Sequence, residues 1–303
     1  MTAERGSDDA KLGPDRPLIK WAADALAVDP DALLSAFEGG LPVRLIATFE
    51  GLRTCESRQS VEDADRIASE GAFDHLPVTE NDLIVGLYQR KATPKDADFL
   101  SHNGRLVRDV MHRLDETILI SSQTGILSFM DGALEHPCRL VLEGERITGI
   151  VTLSDLQRLP VRSAIFLHIT HLEILMTQMI ERSGVKPEVW LTFLDDNVQK
   201  LIKRQWRKDA ESGVAIDPIY AASLSHKSDI FSRIFSGWMD DEDRFQVDMP
   251  AICQLRNEVA HGKDYAGTRE AAEVTLRTIA NCKGRIASLR RLQQKLVSQA
   301  LEA

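Results

Sequence analysis

Apolar residues in the second half of the chain recur three or four positions apart. Ile165, Ile169, Leu172, Leu175, Met176 and Met179 form one such stripe, which predicts an amphipathic helix from Val161 to Arg182 that ends at Ser183-Gly184. Val185 to Ala210 continues the spacing, with Trp190, Phe193, Leu194, Val198, Leu201, Ile202 and Trp206 expected inward. Further helices are predicted over Asp217 to Phe235 and Ala251 to His261, and the longest over Thr268 to Leu301. Residues 161–303 therefore read as an all-α antiparallel helical bundle.

The first half follows a different rhythm. Residues 1–20 begin with Gly6, Ser7, Gly13 and Pro14 among charges and are expected to form a disordered tail. Pro30 to Phe37 carries helical spacing and is stopped by Gly39-Gly40. One unit then occurs twice. In the first copy a helix from Val61 to Ser69 precedes His75-Leu76-Pro77-Val78, a turn at Glu80-Asn81-Asp82, and Leu83 to Tyr88. In the second, Leu106 to Met111 and a helix around Gly125 to Gly132 precede Arg139 to Leu142, a turn at Glu143-Gly144-Glu145, and Ile147 to Leu156. Short apolar runs split by turn residues predict hairpins. The expected fold class is α/β over residues 21–160, followed by the helical bundle.

Charge supports that division. The net charge is −9, but residues 1–160 hold 17 basic against 27 acidic side chains and residues 161–303 hold 20 against 19. Such asymmetry suggests two parts with different tasks, and the chain lacks the overall basicity of a dedicated nucleic-acid binder. Cys55, Cys138, Cys253 and Cys282 are widely spaced, as buried thiols of a reducing compartment would be. No apolar run approaches the ~18 residues of a membrane span, and Met1 to Pro17 is polar, so a cytoplasmic protein without signal peptide or membrane contact is expected.

The strand-to-helix turn of the second copy reads Gly149-Ile150-Val151-Thr152-Leu153-Ser154-Asp155. Over roughly residues 41–160 the doubled unit resembles a tandem cystathionine-β-synthase (CBS) domain pair, whose turn reads Gly-hydrophobic-hydrophobic-Thr/Ser-X-X-Asp. The resemblance implies an adenine nucleotide as regulatory ligand, with Gly149, Ile150, Thr152 and Asp155 as the binding residues. The hydroxyl would meet phosphate and the carboxylate would accept from the ribose hydroxyls. Read without the family, Thr152 and Asp155 could also be an N-cap and its first-turn acid. The first copy departs from the motif, because Gln89 and Ala92 stand where Thr and Asp should be. One competent pocket is expected, with Arg90 and Lys91 either reaching a phosphate or solvated.

In the helical half, Arg256-Asn257-Glu258-Val259-Ala260-His261 resembles the Arg-polar-X3-His motif of the HEPN superfamily, all-helical domains that include metal-independent ribonucleases. Histidine is suited to proton transfer near neutrality, and the arginine fork fits a phosphoryl group. Asn257 and His261 share a helix face. Arg256 and His261 lie about 140° apart at about 100° per residue, so one copy cannot easily aim both at one phosphate. A two-fold homodimer through the helical domain resolves this, and the family is known to use that arrangement. The plainer reading makes His261 the last helical residue and Gly262 its left-handed cap.

Lys200, Lys203, Arg204, Arg207 and Lys208 surround Trp206. They could bind single-stranded RNA or form the wet face of a helix with one core tryptophan. His168 and His171 share a face with Glu173 nearby, but no third ligand stands at a recognisable spacing, so no metal is expected. The acidic run Asp240 to Asp243 reads as a solvated loop. Together the resemblances imply a homodimeric, nucleotide-regulated endoribonuclease. It would need no catalytic cofactor, leave 2′,3′-cyclic phosphate and 5′-hydroxyl ends on RNA, and serve in stress or phage defence. The rival is a non-catalytic sensor or scaffold whose helical half only dimerises or binds a partner.

Overall fold

A computed structural model of the chain describes residues 40–90, 104–212 and 217–302. The expected N-terminal tail, the short helix of Pro30 to Phe37, and Lys91 and Ala92 lie outside these residues. The chain divides into two compact units. One holds the described part of Leu34–Ala164 together with Asp264–Leu276, and the other holds Ile165–Lys263 with Arg277–Ala303.

The first unit is built from the doubled α/β pattern. Helix α1 (Val61–Glu70) starts at Ser60, whose hydroxyl accepts from the Asp63 backbone N–H at 3.1 Å, and buries Val61, Ala64 and Ala68. Strand β1 (Cys55–Glu56) lies parallel to β2 (His75–Glu80). β2 then pairs antiparallel with β3 (Leu83–Gln89). Asn81 and Asp82 both take positive φ, 50° and 62°, the conformation a tight hairpin turn demands and these two residue types tolerate. β4 (His112–Arg113) closes the sheet against β3.

The second sheet repeats the plan with β5 (Leu119–Ser121) parallel to β6 (Cys138–Glu143), and β6 antiparallel to β7 (Arg146–Thr152). Helix α2 (Ile126–Gly132) sits between β5 and β6. Thr48 bridges Ile150 of β7, the position β4 holds on β3. Each hairpin carries one irregularity at the same place, Val78/Thr79 and Val141/Leu142.

The two copies exchange their leading segments. Val43 N–H donates to Thr124 O at 2.7 Å and Arg44 N–H to Ser122 O at 3.0 Å. In the mirror pair, Val107 N–H donates to Gln59 O and Arg108 N–H to Ser57 O, each at 2.9 Å. Val43, Ile46 and Val107 are fully buried by this exchange, so neither copy completes its core alone.

The second half is helical, comprising α3 (Leu159–Arg182), α4 (Pro187–Trp190), α5 (Asp196–Glu211), α6 (Leu224–Ile234), α7 (Glu242–Ala260) and α8 (Arg269–Glu302). Leu159–Arg182 is long and apolar enough to cross a membrane by length and composition, and 61% of its apolar window is buried inside the protein. His168 and His171 are buried on it. His171 Nε2 lies 3.1 Å from the Arg290 guanidinium, and Glu173 receives Lys227 Nζ at 2.7 Å. Phe231, Phe235 and Phe245 pack together, with ring centroids 4.6 and 5.4 Å apart.

Three expectations are corrected. The helix predicted from Val185 to Ala210 is broken: Leu191–Phe193 forms a 3-10 turn and Leu194 is extended. The Gln199 side chain then caps the Leu194 carbonyl at 2.9 Å. The break lets Trp190, Leu191 and Leu194 all be buried, while Leu201 and Trp206, expected inward, are 60% and 38% exposed. Likewise Asp217 to Phe235 is not one helix. Pro218–Ala221 is a 3-10 turn, and α6 starts afresh at the Ser223 cap. The acidic run Asp240 to Asp243, expected as a solvated loop, leads into the first turn of α7; Asp240 and Asp243 are exposed, but Asp241 and Glu242 are structural. Asp241 receives Arg285 Nη1 at 2.6 Å and the Ser288 hydroxyl at 2.7 Å, and Glu242 accepts from Ser236 and Gly237.

Candidate functional site

The C-terminal end of β7 opens on a cleft of about 450 Å³ inside the α/β unit, a volume within the range of small-molecule sites. Ile150 and Thr152 line it from β7, and Asp155 from the 3-10 turn Leu153–Gln157 that follows. Asp155 is 6% exposed. Its Oδ2 accepts from the Thr152 backbone N–H at 2.7 Å and from the Thr152 hydroxyl at 3.2 Å. Both motif residues thus also serve the turn, as the plainer sequence reading allowed. Burial pushes the Asp155 carboxyl above its ordinary value, a shift the Thr152 N–H and the Arg158 guanidinium oppose.

Gly149 acts differently from the other three motif residues. It is buried and does not line the cleft. A Cβ on it would meet Phe49 Cδ1 at 2.8 Å and Thr48 O at 2.9 Å, so the glycine lets the Thr48 segment approach β7. Gly86 does the same in the first copy, where a Cβ would lie 2.5 Å from His112 O.

Several cleft residues escaped the sequence reading. Arg158 reaches back to Asp155 Oδ1 at 2.8 Å and to the Thr48 hydroxyl at 2.9 Å. Arg53 lines the cleft, and among the described residues its side chain has no hydrogen bond or ion pair. His75 also lines the cleft; its imidazole is pushed down by burial, raised less by Asp74, and lowered further by Arg269. A smaller cavity of about 190 Å³ shares Asp74, His75, Thr152 and Ser154 with the cleft and reaches Thr268 and Arg269. No local sequence signal links positions this far apart. Arg90, expected either to seek a phosphate or to be solvated, is about one-third exposed, donates to the Ser69 hydroxyl at 3.1 Å and lies 3.6 Å from Asp74.

The stretch Asp264–Leu276 fastens to the turn that carries Asp155. Tyr265 and Ala266 are buried there. Asp264 accepts from Gln157 Nε2, and the Arg162 guanidinium lies 4.8 Å from the Tyr265 ring centroid.

In the helical unit, Arg256 and Asn257 occupy the last turn of α7 and His261 is its C-cap. Gly262 takes φ +67°, and Lys263 N–H closes back to Glu258 O at 2.9 Å, the left-handed termination foreseen for this glycine. Arg256 Nη1 donates to Asn257 Oδ1 at 3.3 Å. His261 is exposed, and among the described residues its imidazole has no hydrogen-bond partner. The Cys253 thiol one turn earlier is pushed up to about 11, chiefly by burial, which removes it as a nucleophile at neutral pH.

No protein-family model matches the sequence, and no curated protein matches it. Among solved structures, the chain is similar to the CBS domain of the bacterial CNNM/CorC family Mg2+ transporter in complex with ATP, at 21% identity and TM-score 0.35 over 41% of this chain and 90% of that one. It is similar to the CBS-pair protein CBSX2 from Arabidopsis thaliana at 20% identity and TM-score 0.35, covering 41% and 94%. A CBS domain-containing protein of unknown function from Bacillus anthracis matches at 12% identity and TM-score 0.36, covering 40% and 94%. The mixed sheets of the N-terminal half resemble those of CBS domains, and the C-terminal half is helical.

Proposed function

We propose that the protein is a nucleotide-regulated, metal-independent endoribonuclease acting as a homodimer through its helical domain. The observation that carries the regulatory half is the buried Asp155 carboxylate lining a cleft of about 450 Å³ that is also lined by Arg53, a side chain without a partner among the described residues. A carboxylate that accepts paired hydroxyls and a free guanidinium for phosphate suit a nucleotide. Adenine as its base follows from the CBS-pair resemblance.

The catalytic half rests on Arg256, Asn257 and His261 at the end of α7. His261, exposed and without a hydrogen-bond partner among the described residues, would be the general base or acid, taking the proton from the RNA 2′-hydroxyl as that oxygen attacks phosphorus or giving one to the leaving oxygen. The P–O5′ bond breaks as the 5′-oxygen takes a proton from a second imidazolium, that of the two-fold partner, or from water, giving 2′,3′-cyclic phosphate and 5′-hydroxyl ends. Arg256 would neutralise the developing charge on the phosphoryl oxygens, and Asn257 would orient His261 or the scissile phosphate. Because Arg256 and His261 stand about 140° apart on an ideal helix, a two-fold partner would supply the complementary residues.

A second reading is favoured by the 3.3 Å bond between Arg256 and Asn257, which lets the pair satisfy itself. The chain would then be an adenine-nucleotide sensor or scaffold without catalysis. Cleavage of a fluorescent unstructured RNA in EDTA separates the two, comparing wild type with His261→Ala and with or without AMP, ATP and cyclic nucleotides. Cutting by wild type alone, with cyclic phosphate ends, supports the ribonuclease. No cutting under any ligand supports the sensor, and a nucleotide response lost in Asp155→Ala would then be its signature.

A further inference from the structure

Helix α5 is the least buried helix face with a concentrated charge. Ile202 is buried on it, whereas Lys200, Lys203, Arg204, Arg207 and Lys208 are exposed. Among the described residues none of these five side chains makes an ion pair or hydrogen bond. In a chain of net charge −9, five unpaired cations within nine positions are a local exception.

Their arrangement is ordered. At about 100° per residue, Lys203, Arg207, Lys200 and Arg204 fall within an arc of about 100°, roughly opposite Ile202. Trp206 lies about 60° beyond one edge of that stripe and Leu201 about 60° beyond the other. The Trp206 indole is 38% exposed, held partly against the protein and partly open beside the cations.

From this we infer that α5 is the docking surface for single-stranded RNA, the cations following the phosphates and Trp206 stacking a base. This rests on the RNA substrate proposed above. An anionic bilayer fits less well, because the middle of the apolar face is already occupied where Ile202 is buried. Leu201 and Trp206 are left as separate edges about 140° apart, without the continuous apolar face an interfacial helix needs.

The test measures binding of the full chain to a fluorescent 2′-O-methyl RNA, which lacks the attacking hydroxyl and so reports docking apart from cleavage. Wild type is expected to bind with marked salt dependence. Lys203→Glu/Arg204→Glu/Arg207→Glu should flatten the log-log salt slope by about 2, from about 0.7 per phosphate contact. Trp206→Ala should weaken binding about 5- to 150-fold, with Trp206→Phe retaining more affinity than Ala. Unchanged melting temperatures would show that the variants fold. Absence of binding by wild type, equal binding by folded variants, or binding to phosphatidylserine vesicles instead of RNA each overturns the proposal. If docking depends on α5 but ordinary RNA is never cut, the surface stands and the ribonuclease reading fails. If RNA is cut equally by wild type and the triple variant, the reverse holds.

Discussion

The Tyr265 hydroxyl donates to the Leu156 carbonyl oxygen at 2.6 Å. That carbonyl belongs to the 3-10 turn that also bears Asp155, so a residue four positions after His261 braces the cleft that Asp155 lines. Tyr265→Phe keeps the ring near Arg162 and removes the donor, leaving a buried carbonyl unsatisfied. A loss of about 1–3 kcal/mol is expected in urea unfolding of the full chain. Nucleotide affinity should fall with it, because the turn loses a fixed point.

The Asp155 carboxyl is held above its ordinary value by burial. The charged form is the better acceptor for ribose hydroxyls, so affinity should be full above the raised pKa and fall as acidification protonates the group. Titrating nucleotide binding from about pH 7 to pH 4 should place that loss above the ordinary carboxylate value of about 3.9. In Asp155→Asn the affinity should be low throughout and this acid limb absent. The sign for stability is opposite: the raised pKa makes the protonated folded form favourable, so this group's contribution declines as pH rises through the folded pKa.

Gly86 and Gly149 perform one task in two copies, and their alanine variants should fail alike. A Cβ at Gly86 would lie 2.5 Å from a backbone oxygen, and one at Gly149 would lie 2.9 Å from another. Each substitution is expected to cost about 1–3 kcal/mol through forced displacement, measured by thermal or urea unfolding. Gly149→Ala should additionally weaken nucleotide binding, because the displaced Thr48 segment lines the cleft.

Arg285 is 6% exposed between two acids, with Asp241 at 2.6 Å and Asp248 at 3.2 Å. Asn281 also donates to Asp248 at 2.9 Å. Arg285→Met would strand the buried Asp248 charge, and a loss of about 3–5 kcal/mol is expected on unfolding. Adding Asp248→Asn should recover part of that loss, which a double-mutant cycle reads directly.

The hairpins, their turns and most helix positions were legible because they depend on neighbours in sequence. The alternation around Asn81-Asp82 and around Gly144 is local, and so are the stripe along Leu159–Arg182 and the glycine stop at Gly262. Thr152 and Asp155 were legible for the same reason, three residues apart on one turn. What the sequence could not supply were partnerships across long separations: Arg158 with Thr48, His75 with Arg269, Tyr265 with Leu156, and Asp241 with Arg285. Periodicity also misplaced Leu201 and Trp206. It shows which side of a helix is apolar, but not how much of that side the rest of the chain covers. Only the tertiary packing, by burying Ile202 and leaving its flanks open, decided which apolar residues of α5 entered the core and which remained on the surface.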